Sequence, residues 1–383
     1  MRILVLGGAG AMGMVTVRDL AEAPEVSEVI IGDINVEKAE EVAEWAGKEK
    51  ISIRKVDVSS IEDLASVMKD ADAVANAAPY HLNLAVTKAA IKAGKNLTDL
   101  GGVYYMTLKQ LELDNEAKNA GITIVLDCGL APGVADILAK HGADKLDKVE
   151  EVHIWYGDRS FEPAKYKWSF RTVLEEYTKG PVIYEDGEFK RLPPFSGKQL
   201  VKFPAPVGER PCCYALYSGL ATLPQTIGKG VRKVDCSMSY TQEDELRIKV
   251  LNELGLTSDK PIKIGGVQIS PREFLLRCVP PPDVRAKDAS SLIVEVKGEK
   301  DEFPMRIRYS LVQQFHEKYG VSAIAYLTGV PLSIVSQILA KDEIKERGVL
   351  PPEIAVPHKT FFKELAKRGI TISEAIEKTS KLV

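Results

Sequence analysis

The stretch that decides the fold is MRILVLGGAGAMG, residues 1–13. Arg2 to Leu6 is a short, largely apolar run, which is typical of a strand buried on both faces of a parallel sheet. Three glycines follow with G-x-G-x-x-G spacing. The first, Gly8, permits a tight turn, the second lets the backbone approach a pyrophosphate, and the third lets the next helix pack closely on the strand. The sequence therefore predicts a dinucleotide-binding loop at the start of a helix, with contacts from Gly8, Gly10, Ala11, Met12 and Gly13.

The next predicted strand, Glu28 to Gly32, is followed directly by Asp33, which stands twenty residues after Gly13. An acidic residue at this place accepts hydrogen bonds from the adenosine ribose hydroxyls, and its charge repels a 2′-phosphate. The pattern therefore predicts NAD as the cofactor in preference to NADP. The alternative is an unliganded α/β turn that carries an Asp by chance.

The alternation of strands and helices continues to about residue 127. It predicts strands over 52–57, 71–77, 95–99 and 122–127, and helices over 11–23, 36–46, 61–69, 80–93 and 105–119. Six strands of this kind indicate a complete doubly wound parallel sheet, a Rossmann fold, in the order 3-2-1-4-5-6. Ligands bind outside the carboxyl ends of such strands. The further residues predicted to contact the cofactor are therefore Asp57 (at the adenine amino group), Val58, Ala77, Ala78, Pro79, Leu100, Gly101 and Cys128.

After Lys148 the strict alternation stops, and strand-like runs follow at 151–156, 231–240, 291–298 and 303–310. This pattern predicts a second domain of the α+β class. Residues 284–309 are expected to form a hairpin whose charged turn is Glu299, Lys300 and Asp301. An open sheet of this kind commonly mediates dimerisation, so we expect a homodimer or a dimer of dimers. Helices are predicted again at 322–328, 331–340 and 358–368, and the apolar positions between 324 and 339 are assigned to the core.

Composition excludes several classes of function. The chain has 383 residues, which suggests two domains, and its 51 basic and 54 acidic residues leave a net charge of −3. That balance gives no electrostatic reason to expect nucleic acid or an anionic membrane as a partner. There is no unbroken apolar run of membrane-spanning length, and the first residues read as a strand, not as a leader, so a cytoplasmic protein is expected. The five cysteines and five histidines show no zinc spacing, so reduced thiols and no metal site are expected.

Three stretches of the chain resemble the saccharopine dehydrogenase (saccharopine reductase) and lysine 6-dehydrogenase family. They are NAAPYHLNLAVTKAAIKAG at 76–94, the segment 99–139 that begins DLGG, and YKWSFRTVLEEYTKGPVIYEDGEF at 166–189, with weaker similarity at 218–227 and 269–282. The resemblance covers essentially the whole chain. It implies a cofactor domain made of residues 1–129 and 316–383, with helices near the end of the chain packing back on the first sheet. It also implies a substrate domain over 130–315.

The resemblance also implies NAD-dependent chemistry at a carbon–nitrogen bond of an amino acid. Such a reaction needs a base for the amine proton and a cation, preferably Arg, for the substrate carboxylate. The predicted catalytic residues are His81, Tyr80 and Asp99, and the predicted substrate-binding residues are Lys167, Trp168 and Arg171. Alternatives remain open for four of them. His81 could bond the backbone or a phosphate, Tyr80 could orient the substrate, Asp99 could cap the following loop, and Trp168 could fill the core. Lesser candidates for the cation are Arg232, Lys233 and Arg272.

Within the resemblance, the DLGG segment favours oxidation of the lysine side-chain amine, as in lysine 6-dehydrogenase, because the saccharopine-forming branch usually has a Ser/Thr-rich segment there. That branch also usually has an acidic residue in place of Ala131. Two alternatives belong to the same class: a glutamate-forming saccharopine dehydrogenase and a carboxyspermidine-type reductive coupling. An alternative of another class is a non-catalytic NAD-binding regulator, which would not need a carboxylate clamp.

Overall fold

The computed structural model describes residues 1–162 and 166–379. Its first part alternates strands and helices, as predicted. The elements are β1 (Arg2–Leu6), α1 (Gly13–Glu22), β2 (Glu28–Asp33), α2 (Val36–Ala46), β3 (Ile51–Lys55), α3 (Ile61–Met68), β4 (Ala73–Asn76), α4 (Asn83–Ala93), β5 (Asn96–Asp99), α5 (Tyr104–Leu111), α6 (Asp114–Asn119) and β6 (Thr123–Val125). A short 3-10 turn, Tyr80–Leu82, precedes α4.

These six strands pair in parallel in the order β6-β5-β4-β1-β2-β3. The predicted order 3-2-1-4-5-6 is therefore confirmed. Four of the five residues of β1 are fully buried, as expected for a strand covered on both faces. The single helix predicted over 105–119 is wrong: α5 and α6 are separate, because Leu113 has backbone angles (φ −87°, ψ 8°) that interrupt the helix.

The second part contains α7 (Val134–Asp144), β7 (Lys148–Ser160), α8 (Phe170–Thr178), β8 (Val182–Glu185), β9 (Glu188–Arg191), β10 (Gln199–Lys202), β11 (Glu209–Tyr214), α9 (Leu223–Ile227), β12 (Lys233–Ser239), α10 (Gln242–Glu253), β13 (Ile262–Ile264), β14 (Val267–Ile269), α11 (Pro271–Cys278), β15 (Asp288–Lys300) and β16 (Phe303–Gln314). Most of these strands form one mixed sheet, in which β10, β11, β12, β7, β15 and β16 are successive neighbours and β8 joins β12. The second domain is thus α+β, as predicted.

The central hairpin of this sheet is formed by β15 and β16. Lys300 pairs with Phe303, so the turn consists of Asp301 and Glu302, not of residues 299–301 as predicted. Both turn residues have left-handed angles (φ 53° and 66°), which is the conformation of a type I′ turn and matches the twist of the strands.

The last part contains α12 (Ala323–Ala340), β17 (Gly348–Leu350), α13 (Pro352–Ala355), α14 (His358–Lys367) and β18 (Ser373–Lys378). Helix α12 packs on α1, β4 and β5, which confirms that helices near the end of the chain return to the first sheet. The prediction of two helices broken before Pro331 is wrong, because α12 continues through this proline. Burial of nearly every side chain of α12 compensates for the hydrogen bond that the proline cannot donate.

Helix α12 is long and apolar enough to cross a membrane by length and composition, but 83% of it is buried inside the protein. It is therefore a core helix of this fold.

Two short strands near the end of the chain were not predicted. Strand β17 pairs in parallel with β6 and extends the first sheet to seven strands. Strand β18 pairs with β16 and forms an edge of the second sheet. Residues 373–378 therefore lie with the second domain, although the resemblance assigned them to the first.

Candidate active site

A cleft of about 850 Å³ separates the two domains at the carboxyl ends of the first sheet. The loop after β1, the ends of β2 and β3, and the residues that follow β4, β5 and β6 form one wall. Helices α8 and α11 form much of the other wall. Of the predicted cofactor contacts, Gly10, Ala11, Met12, Asp33, Asp57, Val58, Ala77, Ala78, Pro79, Leu100 and Gly101 line this cleft.

The glycine loop leaves no room for side chains. A Cβ atom on Gly13 would lie 2.2 Å from the carbonyl oxygen of Gly7, and one on Gly7 would lie 2.8 Å from the amide nitrogen of Ala78. The tight turn is at Gly7 (φ 68°), not at Gly8 as predicted, whereas Gly8 and Gly13 pack beneath the loop and do not line the cleft.

The amides of this loop fit a pyrophosphate. Within the described ranges, the N–H groups of Ala11 and Met12 donate no backbone hydrogen bond, and both precede the N-terminus of α1. Free amides and the positive end of a helix dipole together favour an anion.

Two carboxylates mark the adenosine end of the cleft. Asp33 accepts hydrogen bonds from the amides of Ala9 and Asn35, each at 3.0 Å. Asp57 accepts from the amide (2.9 Å) and the hydroxyl (2.7 Å) of Ser59, and these bonds hold the pKa of Asp57 below its usual value. This end of the cleft therefore carries negative charge.

Tyr80 and His81 lie on the 3-10 turn after β4 and line the cleft. Gly102 (φ 142°) supports this turn, because a Cβ atom there would lie 2.6 Å from the Cβ of Tyr80. Burial, followed by the nearby Glu175 carboxylate, raises the pKa of Tyr80, so the phenol stays protonated. Partial burial and the Arg171 guanidinium lower the pKa of His81, so the imidazole is neutral at pH 7.

The structure does not place Asp99 and Cys128 on the cleft. Asp99 is fully buried and accepts hydrogen bonds from the amide of Gly101 (2.8 Å) and from Nε2 of Gln110 (2.7 Å). It therefore caps the loop after β5, which was the alternative role. Cys128 is buried with its thiol 3.2 Å from the carbonyl oxygen of Leu126, and burial raises its pKa well above the usual value. All five cysteines are free thiols.

Lys167 is likewise absent from the cleft, so its prediction as a substrate ligand is corrected. Its ammonium group is buried and lies 2.5 Å from a carboxylate oxygen of Asp158 and 3.6 Å from one of Asp288. These two carboxylates already satisfy its charge. The ion pair joins the start of α8 to β7 and β15.

The lesser candidates also have structural roles. Arg232 forms an exposed ion pair with Asp186 at 2.7 Å, and Lys233 lies 3.5 Å from Glu185. Arg272 is buried, pairs with Glu175 and donates to the carbonyl oxygen of Thr257 at 2.8 Å. Arg272 therefore fixes α11 against α8.

Arg171 and Trp168 do line the cleft, as predicted. The guanidinium of Arg171 lies 2.7 Å from the carboxylate of Glu273 on α11. Trp168 packs edge-on against Tyr156 with ring centroids 6.2 Å apart. Trp168 is thus part of the pocket wall.

Three charged residues that line the cleft were not predicted: Glu273, which pairs with Arg171, and the two residues Arg277 and Glu176. Arg277 is exposed on α11, and no ion pair involves it among the described residues. Glu176, near the end of α8, lines both the cleft and a side pocket of about 50 Å³. Its Oε2 atom is buried and has no hydrogen-bond partner in the part of the chain that the structure describes. This burial raises the pKa of Glu176 to about 8. A helix predicted over FRTVLEEYT would have indicated that Glu175 and Glu176 lie on different faces, because consecutive residues of a helix point in different directions.

Residues 1–162 and 166–379 contain no group of three or more His, Cys, Asp or Glu side chains that could hold a metal ion.

The doubly wound sheet, its glycine loop and a cleft shared with a second domain define an oxidoreductase that uses a nicotinamide dinucleotide. The chain belongs to the saccharopine dehydrogenase family. The model of the saccharopine dehydrogenase NADP-binding domain matches residues 3–125, and that of the C-terminal domain matches residues 129–370. The protein is therefore an oxidoreductase of this family that acts on a carbon–nitrogen bond of an amino acid.

Curated relatives match nearly the whole chain at low identity. Carboxyaminopropylagmatine dehydrogenase from Synechocystis sp. is 23% identical and covers 97% of both chains. Carboxynorspermidine synthase from Vibrio cholerae is 25% identical and covers 90% of both. A glutamate-forming, NADP-dependent saccharopine dehydrogenase from Pyricularia oryzae is 22% identical and covers 84% of this chain and 88% of its own.

A solved structure has the same fold. The apo saccharopine dehydrogenase (L-Glu forming) from Saccharomyces cerevisiae aligns with a TM-score of 0.76 at 20% identity and covers 98% of this chain and 99% of its own.

Proposed function

We propose that this protein is an NAD-dependent oxidoreductase acting on a secondary amine that joins a carboxylate-bearing carbon chain to a second amine compound. The observation that carries the proposal is the cleft itself, in which the dinucleotide loop and the guanidinium groups of Arg171 and Arg277 line one continuous space. A guanidinium recognises a carboxylate through two parallel hydrogen bonds. The Synechocystis and Vibrio cholerae relatives, which cover 90% or more of both chains, are named for carboxyalkyl derivatives of amines, which is consistent with this substrate class.

The choice of NAD over NADP is part of the proposal and depends on charge. Asp33 stands at the end of β2, where the ribose of a bound dinucleotide would lie, and Asp57 lines the same end of the cleft. No Lys or Arg lines this end of the cleft among the described residues, and a 2′-phosphate would face two carboxylates. The family model carries the name of an NADP-binding domain, so this chain would be a variant within its family.

The chain's own residues supply positioning and proton transfer. The loop residues Gly10, Ala11 and Met12 would hold the dinucleotide, and bound NAD would supply the acceptor for a hydride from the carbon beside the amine nitrogen. The amine must be neutral at that moment, and a neutral imidazole at His81 can accept its proton. Tyr80 stays a protonated phenol and can donate a hydrogen bond to the substrate. Hydrolysis of the resulting imine yields an aldehyde and a primary amine, and the reverse direction condenses them.

Oxidation of the lysine side-chain amine is the second candidate. It is favoured by the DLGG segment, since Leu100, Gly101 and Gly102 line the cleft. The relatives described above are not named for this reaction, so the lysine assignment stays a prediction.

Absorbance of NADH at saturating NAD tests the proposal. Carboxyaminopropylagmatine, carboxynorspermidine, saccharopine and lysine are supplied one at a time, and the same assay is repeated with NADP. A rate with a carboxyalkyl amine and NAD supports the proposal, and a rate with lysine alone supports the second candidate. No NADH from any of them, in a protein that calorimetry shows to bind NAD, would reject both and favour a non-catalytic regulator.

We also propose that the protein is a homodimer that uses the open second sheet. The edge strands β10 and β18 expose Leu200 (64%) and Ile376 (50%), which is unusual for apolar side chains on a sheet edge. Sedimentation velocity of the full chain tests this, and a monomer at micromolar concentration would contradict it.

A further inference from the structure

We infer that Glu176 and the side pocket beside it form the subsite for a cationic amine of the substrate, separate from the carboxylate site at Arg171 and Arg277. The inference rests on the proposed function, because it assumes that the same cleft binds an amine compound. It adds the orientation of that compound and the group that holds its positive end.

Helix α8 sets the distance between the two subsites. Arg171 lies in its first turn and Glu176 lies five residues later, and both line the cleft. At 1.5 Å of rise per residue, the two positions are separated by about 7.5 Å along the helix axis. The cleft therefore suits a substrate whose carboxylate and ammonium groups are several bonds apart.

Among the described residues that line the side pocket, Glu176 is the one acidic side chain, and the other side chains carry no charge. Ala215, Cys236 and Met238 present apolar or weakly polar atoms. The hydroxyl of Tyr217 already donates to Asp136 at 2.6 Å, and the hydroxyl of Tyr156 lies 3.2 Å from that of Ser290. Among the described residues that line this pocket, Glu176 is thus the one with a carboxylate oxygen that lacks a hydrogen-bond partner.

An ammonium group fits this environment better than a neutral or anionic group does. It carries three donors and no acceptor, and its charge complements a carboxylate that no described cation neutralises. Neighbouring Glu175 shows the contrast, because its carboxylate already pairs with Arg272 and Lys179. A carboxylate oxygen that is buried without a partner costs stability, so its position beside a substrate cleft supports a ligand-binding role.

Calorimetric titration of the full-length, NAD-saturated protein at pH 9 tests the subsite without requiring turnover. At this pH the Glu176 carboxyl, whose pKa is raised to about 8, is ionised, and the ammonium groups of an alkyl diamine stay charged. The probes are 1,5-diaminopentane and its uncharged analogue pentane-1,5-diol. The variants are Glu176→Gln, which keeps the shape and removes the charge, and Glu243→Gln as a matched control, since Glu243 is an exposed residue of α10 paired with Arg247. We expect wild type and Glu243→Gln to bind the diamine equally. We expect Glu176→Gln to bind it at least about 30-fold more weakly, which corresponds to about 2 kcal/mol. The diol should show no such difference.

Equal affinity of wild type and Glu176→Gln for the diamine would overturn the inference, as would wild type binding the diol as tightly as the diamine. If Glu176→Gln does not fold, Glu176→Asp replaces it, because its carboxylate lies on a shorter side chain. An affinity for the diamine equal to that of wild type would then overturn the inference. Failure of the proposed reaction is recognised separately. It would appear as NAD binding and diamine binding without NADH formation from any compound of the panel.

Discussion

Arg171 of α8 and Glu273 of α11 form an ion pair at the cleft, with Nη2 of the arginine 2.7 Å from Oε1 of the glutamate. The glutamate is half exposed, and the arginine is 22% exposed. Such a pair contributes little to stability, since solvent screens it. The arginine can therefore exchange this partner for a substrate carboxylate at small cost.

This relationship predicts the effect of Arg171→Ala. We expect kcat/KM for a carboxylate-bearing amine to fall about 100-fold, mostly through KM, because one charge-assisted contact to the substrate is lost. The melting temperature should change little. Steady-state kinetics with the best substrate of the panel measures the effect, and Arg232→Ala, an exposed arginine away from the cleft, is the control. An unchanged KM in Arg171→Ala would contradict its role.

Asp33→Asn tests the cofactor preference. The amide keeps an oxygen that can accept the hydrogen bond from Ala9 but removes the charge that faces a 2′-phosphate. We expect the ratio of kcat/KM for NADP to that for NAD to rise at least about tenfold, or about 1.4 kcal/mol of relieved repulsion. Asp72→Asn serves as the control, because Asp72 does not line the cleft and accepts a hydrogen bond from the amide of Arg2 at the opposite end of β1. A preference of the wild-type protein for NADP over NAD would contradict the proposed cofactor choice.

The raised pKa of Glu176 predicts a pH-dependent difference in stability. In the unfolded chain this group loses its proton near pH 4.5, whereas in the folded protein it keeps the proton up to about pH 8. Between these values the folded state binds more protons than the unfolded state, so the contribution of Glu176 to the free energy of unfolding falls as pH rises. We therefore expect Glu176→Gln to gain stability relative to wild type across this window.

Urea denaturation of both proteins at several values between about pH 5 and pH 9 measures that difference, and all other carboxylates cancel in the comparison. If the difference in the free energy of unfolding between the two proteins stays constant over the whole pH range, Glu176 is ionised or solvated in the folded protein. Added diamine should stabilise wild type more than the variant.

His81→Gln tests the proposed base. We expect kcat for amine oxidation to fall about 100-fold, a typical value for loss of a positioned base, with the affinity for NAD unchanged. In wild type, kcat/KM should fall at acid pH as the imidazole gains a proton, with a midpoint below its usual 6.5 because burial and Arg171 lower the pKa. In His81→Gln this decrease of kcat/KM at acid pH should be absent. If the variant still shows the decrease, a group other than His81 causes it.

The first domain could be predicted almost completely from the sequence, because its signals are local. Strand β1, the glycine loop and Asp33 lie within one continuous stretch, and each has a position-specific physical role. One exception was the tight turn, because only the backbone angles show that Gly7 and not Gly8 has a left-handed conformation. Strand β17 was missed because three residues are too few to show a period.

The second domain was predicted only in part, because its contacts join residues far apart in the chain. Lys167 appeared suited to bind a carboxylate, but Asp158 and Asp288 from two other strands already surround it. Glu176 and Arg277 were missed for the same reason, since only the packing of α8 and α11 brings both to one cleft. Helix or strand periodicity indicates which face is polar and does not show which polar groups will find partners.

The most direct test of the central claim is the initial rate of NAD reduction by wild-type protein with carboxynorspermidine, compared with norspermidine at the same concentration. We expect NADH formation with the first compound and a rate lower by at least about 100-fold with the second, because only the first carries a carboxylate for Arg171 and Arg277. Equal rates with both would contradict carboxylate recognition in this cleft. No NADH with either, or with any other compound of the panel, would contradict the assignment of carbon–nitrogen oxidation to it.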